Sequence, residues 1–91
     1  MSMFVAIYFN SRLSTPRDEI EDLLEDALGD QGEVTGGGTG LGGSNIDLEI
    51  TSEMSVRDVL ELIRAVLGRL KTPSDTEIAI EEESFPLYED Q

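Results

Sequence analysis

The chain has 91 residues, which is enough for one small domain with a single hydrophobic core. Its 20 acidic residues outnumber its six basic residues, and the net charge is −14. Histidine and cysteine are both absent, which excludes Cys/His zinc sites, disulfides, thiol nucleophiles and Ser-His-Asp catalysis. The charge excludes a basic face for nucleic-acid phosphates. We therefore expect a protein that is not an enzyme, holds no cofactor or metal ion, and does not bind nucleic acid.

The first residues predict a strand over Met3–Phe9, because they form a short apolar run rich in β-branched and aromatic side chains. No positively charged leader precedes this run. It stops at Asn10, far short of the length that crosses a membrane. We therefore expect a cytoplasmic protein without a membrane partner.

Two amphipathic helices are predicted, since apolar residues recur at intervals of three and four in two segments. The first helix begins with Thr15 as its capping residue and Pro16 in its first turn. It ends at Gly29, a residue typical of the C-terminal cap. The second helix begins at Ser55, which opens a capping box, and ends before Pro73.

A glycine-rich segment lies between the two helices, with six glycines from Gly36 to Gly43. A weak strand over 31–35 precedes it and an alternating strand, Ile46–Thr51, follows it, which predicts a hairpin with a long loop. The glycines include a G-x-G-x-x-G spacing, but a strand and not a helix follows, so the dinucleotide fingerprint is not met. Two interpretations stay open. The segment is a flexible loop, or its backbone approaches a partner with Leu41 as the contact residue.

The last predicted strand is Glu77–Glu81, and the chain then turns acidic. We expect one domain over residues 1–83 and an acidic tail over 84–91. The element order is β-α-β-β-α-β, which predicts an α+β, ferredoxin-like fold. In that fold a four-stranded antiparallel sheet carries both helices on one face, and the first and third strands lie in the middle.

One segment carries a family resemblance. The stretch from Glu33 to Thr39, which contains Gly36-Gly37-Gly38, is followed by Asn45-Ile46-Asp47-Leu48-Glu49-Ile50. Together they resemble a hairpin found in uncharacterised short acidic bacterial proteins. The resemblance implies a bacterial protein with a ferredoxin-like fold, and it implies no catalytic residues.

Carboxylates and aromatic side chains are expected to share the side of the sheet that faces away from the helices. If Ile46, Leu48 and Ile50 face the helices, Asp47 and Glu49 face away from them. One of the two alternating sets of the first strand joins these acids. We predict a partner-binding surface there and in the glycine segment, formed by Tyr8, Gly38, Leu41, Asp47 and Glu49.

The function predicted from these features is binding of a basic protein. Small acidic proteins of this kind include inhibitors and immunity proteins that neutralise basic toxins, and electrostatic complementarity would speed such binding. A second hypothesis is a structural or regulatory module that self-associates and holds a small ligand at the interface between copies. A third is that the acidity is an adaptation to high salt.

Overall fold

The computed structural model describes residues 3–11, 13, 15–40, 43–70 and 72–87. Within them the helices and strands follow one another as β1 (Met3–Phe9), α1 (Arg17–Leu28), β2 (Gly32–Gly40), β3 (Gly43–Ile50), α2 (Val56–Arg69), β4 (Glu77–Ile80) and β5 (Glu83–Pro86). A 3₁₀ turn, Gly29–Gln31, joins α1 to β2.

All five strands belong to one antiparallel sheet, in the order β2-β3-β1-β4-β5. The predicted α+β class, with an antiparallel sheet and two helices, is confirmed. The expected number of four strands is wrong, because β5 adds a fifth strand beside β4. β1, the most apolar strand, lies in the centre between β3 and β4.

Both helices cover the same side of the sheet. The side chains of Val5, Ile7 and Phe9 on β1 are at most 1% exposed, and they belong to one apolar cluster with residues of both helices. The helical members of that cluster are Ile20, Leu24, Leu28, Val59, Leu60, Ile63 and Leu67. The period of three to four in the sequence therefore corresponds to one buried stripe on each helix.

The helix ends follow the predicted capping chemistry with one correction. Pro16 and not Thr15 occupies the N-terminal capping position of α1, because Pro16 is itself extended (φ −58°, ψ 143°) and the helix starts after it. The Pro16 carbonyl accepts the backbone N–H groups of the first turn. Gly29 ends α1 with φ +58°, as expected of a glycine cap. The Ser55 hydroxyl caps α2 by accepting the Asp58 N–H at 3.1 Å.

The glycine segment is not a long loop. β2 continues through it to Gly40, and Gly40 pairs with Gly43 at the start of β3. The loop prediction is wrong because the glycines sit in register opposite β3, after a bulge between Val34 and Gly36. The two residues that connect the strands, Leu41 among them, lie outside the described residues.

The sheet also extends past the expected end of the domain at residue 83. β5 takes in residues that were expected in the tail, and Leu87, which follows it, is fully buried in the core. Arg64 on α2 donates to the Pro86 and Leu87 carbonyls at 2.9 and 2.8 Å. Residues 84–87 are therefore part of the folded unit, while residues 88–91 of the expected tail lie outside the described part of the chain.

Candidate functional site

The side of the sheet without helices carries the candidate site, and we call it the open face. Strand register places its residues in rows. On β1 it consists of Phe4, Ala6 and Tyr8, and its other members are Glu33, Gly36, Gly38, Asn45, Asp47, Glu49, Glu77, Ala79, Ser84 and Pro86. The alternation of side chains along each strand fixes this set once the inward residues are known.

Two exposed aromatic side chains dominate the centre of the open face. Phe4 is 49% exposed and Tyr8 is 45% exposed, although both lie on the central strand. They are four positions apart, which is about 13–14 Å along an extended strand. Ala6 lies between them and is flanked by Asp47 on β3 and Ala79 on β4. The open face therefore presents two exposed aromatic groups on either side of Ala6, which is itself only 2% exposed.

Negative charge surrounds these aromatic groups. The strands contribute Glu33, Asp47, Glu49 and Glu77 to the open face, and no strand residue is Lys or Arg. The arginines among the described residues all lie on helices. Glu33 and Glu49 face each other directly across β2 and β3. Like charges in directly opposed positions destabilise a sheet, and a bound cationic group would relieve that repulsion.

Four of the five residues predicted to bind a partner lie together on the open face. Tyr8 is opposite Asn45, Asp47 is opposite Ala6, and Glu49 is opposite Phe4. Gly38 lies at the β2 edge of the same face, opposite Asn45. The fifth, Leu41, lies outside the described residues.

Phe4 and Asn45 belong to this surface and were not predicted as site residues. The first strand is apolar at nearly every position, so its sequence leaves open whether Phe4, Ala6 and Tyr8 or the alternate set faces away from the helices. Tyr8 was predicted from the first set as a site residue and Phe4 was not. The sequence did hold a signal for which set faces the helices. Met3, Val5, Ile7 and Phe9 form the bulkier set, whereas the other set contains the small residue Ala6 between Phe4 and Tyr8. Asn45 lay just outside the strand that the alternation predicted.

Two grooves occur elsewhere on the described surface. One, of about 600 Å³, lies between α2 and β5 and is lined by residues that include Leu60, Arg64 and Phe85. The other, of about 450 Å³, lies between the helices and includes the exposed Leu23. Both mix apolar side chains with groups of either charge, so neither continues the negative field of the open face.

The described residues contain no group of three carboxylates placed to hold a metal ion. None of the described helices is long and apolar enough to cross a membrane. The chain matches no protein-family model, no curated protein and no solved structure.

Proposed function

We propose that this protein is a non-enzymatic binding protein whose open face engages a basic surface of another protein in the cytoplasm. The observation that carries the proposal is the pairing of exposed Phe4 and Tyr8 with carboxylates on both neighbouring strands. Protein interfaces place a few apolar anchors at their centre and charged groups around them. The open face has that arrangement, with a charge of one sign.

The sign of the charge selects the partner. Association of two negative surfaces costs free energy, whereas a basic surface is steered towards this face by the field of the whole chain, whose net charge is −14. The same field disfavours a second copy on the open face. An inhibitor or immunity-type protein that covers the active cleft of a basic toxin is the biological role that this chemistry suits best.

The fold proposed for this role is ferredoxin-like. The neighbour order β2-β3-β1-β4, with α1 and α2 on one side, is consistent with two interleaved β-α-β units. β5 is then an addition at the edge. A fold of this kind leaves one side of its sheet free for a partner, which is the side that carries Phe4 and Tyr8.

Capture followed by kinetics tests the proposed function. The immobilised chain is expected to retain a protein of high isoelectric point from a lysate of the source cells. The association rate of the purified partner should fall about tenfold in the variant Asp47→Lys/Glu49→Lys, because that variant reverses charge beside the aromatic anchors.

The matched control is Asp22→Lys/Glu25→Lys, which makes the same change in net charge on an exposed face of α1. Its association rate should fall much less, since charges distant from the interface act weakly through salt solution. Capture of acidic proteins only, or equal slowing in the two variants, would contradict the proposal.

A further inference from the structure

The two edges of the sheet differ in how they are protected. β2 and β5 are the edge strands, and every second residue of an edge strand turns its N–H and C=O away from the sheet. β5 has only four residues and contains Pro86, which has no N–H to offer. Arg64 also occupies the carbonyls of Pro86 and Leu87. The β5 edge is thus closed to further pairing.

The β2 edge has none of these protections. β2 is nine residues long, contains no Pro or Lys, and carries one charged side chain, Glu33. Glu33, Thr35, Gly36 and Gly37 are exposed. Within the described part of the chain, β3 is the one element whose backbone pairs with β2. The register of β2 shifts at the bulge between Val34 and Gly36, and from Gly36 to Gly40 its regular edge is a template for an added strand.

The open-face glycines of β2 are not required by its own packing. A Cβ on Gly36 would have Asp47 Oδ2 as its nearest neighbour at 3.9 Å, and a Cβ on Gly38 would have Asn45 Oδ1 at 3.7 Å. Both distances are ordinary contacts. Side chains at these positions would therefore fit, yet the strand leaves bare backbone between its edge and the polar groups of β3.

Two side-chain oxygen atoms of β3 lie next to the exposed backbone of Gly36 and Gly38. Asn45 Nδ2 donates to Asp47 Oδ1 at 3.0 Å, which orients both side chains. Asp47 Oδ2 and Asn45 Oδ1 are left as acceptors beside Gly36 and Gly38, and no described residue donates to either. Positions 36 and 38 are two apart, the spacing of side chains on one face of an adjacent strand.

We infer that the β2 edge accepts an extended basic segment of the partner as a sixth strand. Two Arg or Lys residues separated by one residue point onto the open face of that strand, where they cross Gly36 and Gly38 and donate to Asp47 and Asn45. The basic character of the segment rests on the proposed function. Charge complementarity decides the occupant, because a second copy would add another charge of −14 at the same edge.

Nuclear magnetic resonance of the full chain with a defined probe tests the inference. The probe is a short capped peptide with two Arg residues separated by one Val, flanked by Thr and Val. At millimolar concentration it should shift the β2 amide resonances and slow their hydrogen exchange, and a peptide with Glu in place of both Arg should do neither. N-methylation of one alternate set of peptide nitrogens should abolish binding, whereas methylation of the other set should not.

Substitutions in the chain provide a second test of the peptide site. Gly36→Val/Gly38→Val places side chains between the β2 edge and the Asp47 and Asn45 oxygens, and it should weaken peptide binding about tenfold or more. The melting temperature of this variant shows whether it still folds. Asp47→Asn keeps the shape and should weaken binding by about the same factor. Leu23→Ser, at an exposed position of α1 on the other side of the sheet, should bind the peptide like the native chain.

Failure of this inference is distinguishable from failure of the proposed function. Suppose that the captured partner binds Gly36→Val/Gly38→Val as tightly as the native chain but does not bind Phe4→Ser/Tyr8→Ser. The open face is then the binding site, and the β2 edge is not. Absence of β2 shifts at millimolar peptide, or equal binding of the Glu peptide, overturns the inference. Self-association of the unliganded chain through β2, seen by light scattering, overturns it as well.

Discussion

The glycines in β2 occur for two different reasons, although they lie at neighbouring positions. Gly37 pairs with Ile46, and a Cβ on Gly37 would collide with the backbone carbonyl oxygen of Asn45 in β3. A Cβ on Gly32 would likewise lie 2.6 Å from the Glu49 carbonyl oxygen. Gly36 has no such neighbour. Close approach of β2 to β3 thus explains Gly32 and Gly37, and leaves Gly36 to be explained by the surface it exposes.

Alanine substitution separates these two roles. Gly37→Ala should destabilise the protein by about 2 kcal/mol or more, because backbone atoms must move to admit the methyl group. Gly36→Ala should stabilise it by about 0.5–1 kcal/mol, since it reduces the conformational entropy of the unfolded chain at a position with room for the side chain. Urea denaturation measures both. Equal effects of the two substitutions would contradict the assigned close approach.

A pair of buried threonines gives a second comparison. Thr76 is 1% exposed, and its hydroxyl has no hydrogen-bond partner within the described residues. Thr72 is 6% exposed and donates to the Leu67 carbonyl at 2.8 Å. Thr76→Val should raise the free energy of unfolding by about 1 kcal/mol, and Thr72→Val should lower it by about 1 kcal/mol. A thermal melt of each variant is sufficient, and a loss of stability in Thr76→Val would mean that its hydroxyl is satisfied.

At the scale of elements, β5 depends on a contact that is distant in sequence. Arg64 on α2 donates hydrogen bonds to the carbonyl oxygens of Pro86 and Leu87 at the end of β5. The Leu87 side chain is fully buried in the core. The Leu87 N–H also donates to the Thr76 carbonyl at 3.0 Å. These three contacts hold the last strand although it has only four residues.

Removal of the arginine should release this strand. Arg64→Ala is expected to cost about 1.5–3 kcal/mol and to speed hydrogen exchange in β5 more than in β1. Arg57→Ala is the control, because its ion pair with Glu61 is highly exposed and contributes little. Unchanged exchange in β5 after Arg64→Ala would show that the sheet contacts alone hold the strand.

Several elements could be predicted from the sequence because their signals are local. The apolar stripes and the Ser55 cap depend on spacing within a few residues, and so do the bounds of β1. The extent of β2 could not be predicted, since Val34 is its one large apolar residue and its glycines pair only because β3 lies opposite. β5 was missed for the same reason, as Arg64 lies far from it in the chain. The alternation of β3 predicts that Asp47 and Glu49 share one face, whereas the packing of β1 was needed to show that Phe4 and Tyr8 lie on that face with them.

The whole molecule carries an excess of negative charge that its ion pairs do not balance. The ion pairs of the described residues include Arg17–Glu21 at 3.2 Å and Arg57–Glu61 at 3.4 Å, while the chain has 20 acidic and six basic residues. Both pairs join adjacent turns of one helix and add only a few tenths of a kcal/mol. Self-repulsion of the folded state is therefore a term in its stability.

Salt should stabilise the protein by screening that repulsion. The free energy of unfolding is expected to rise from about 0.05 to about 0.5 M NaCl, as the screening length falls to a few ångströms. The chain should nevertheless be folded at the low end of this range. A chain that unfolds without molar salt would favour the interpretation of the acidity as a habitat adaptation, and a fall in stability with salt would mean that paired charges dominate.

In the proposed function, the open face binds a basic protein through its aromatic residues. The most direct measurement is the dissociation constant of the captured partner for Phe4→Ala, for Tyr8→Ala and for Leu23→Ala, an exposed apolar residue on α1. Substitution of each sheet residue should weaken binding about 30-fold or more, as expected for a central anchor, while Leu23→Ala should leave the affinity unchanged. Native affinity in both sheet variants, or loss of binding in Leu23→Ala alone, would contradict the account.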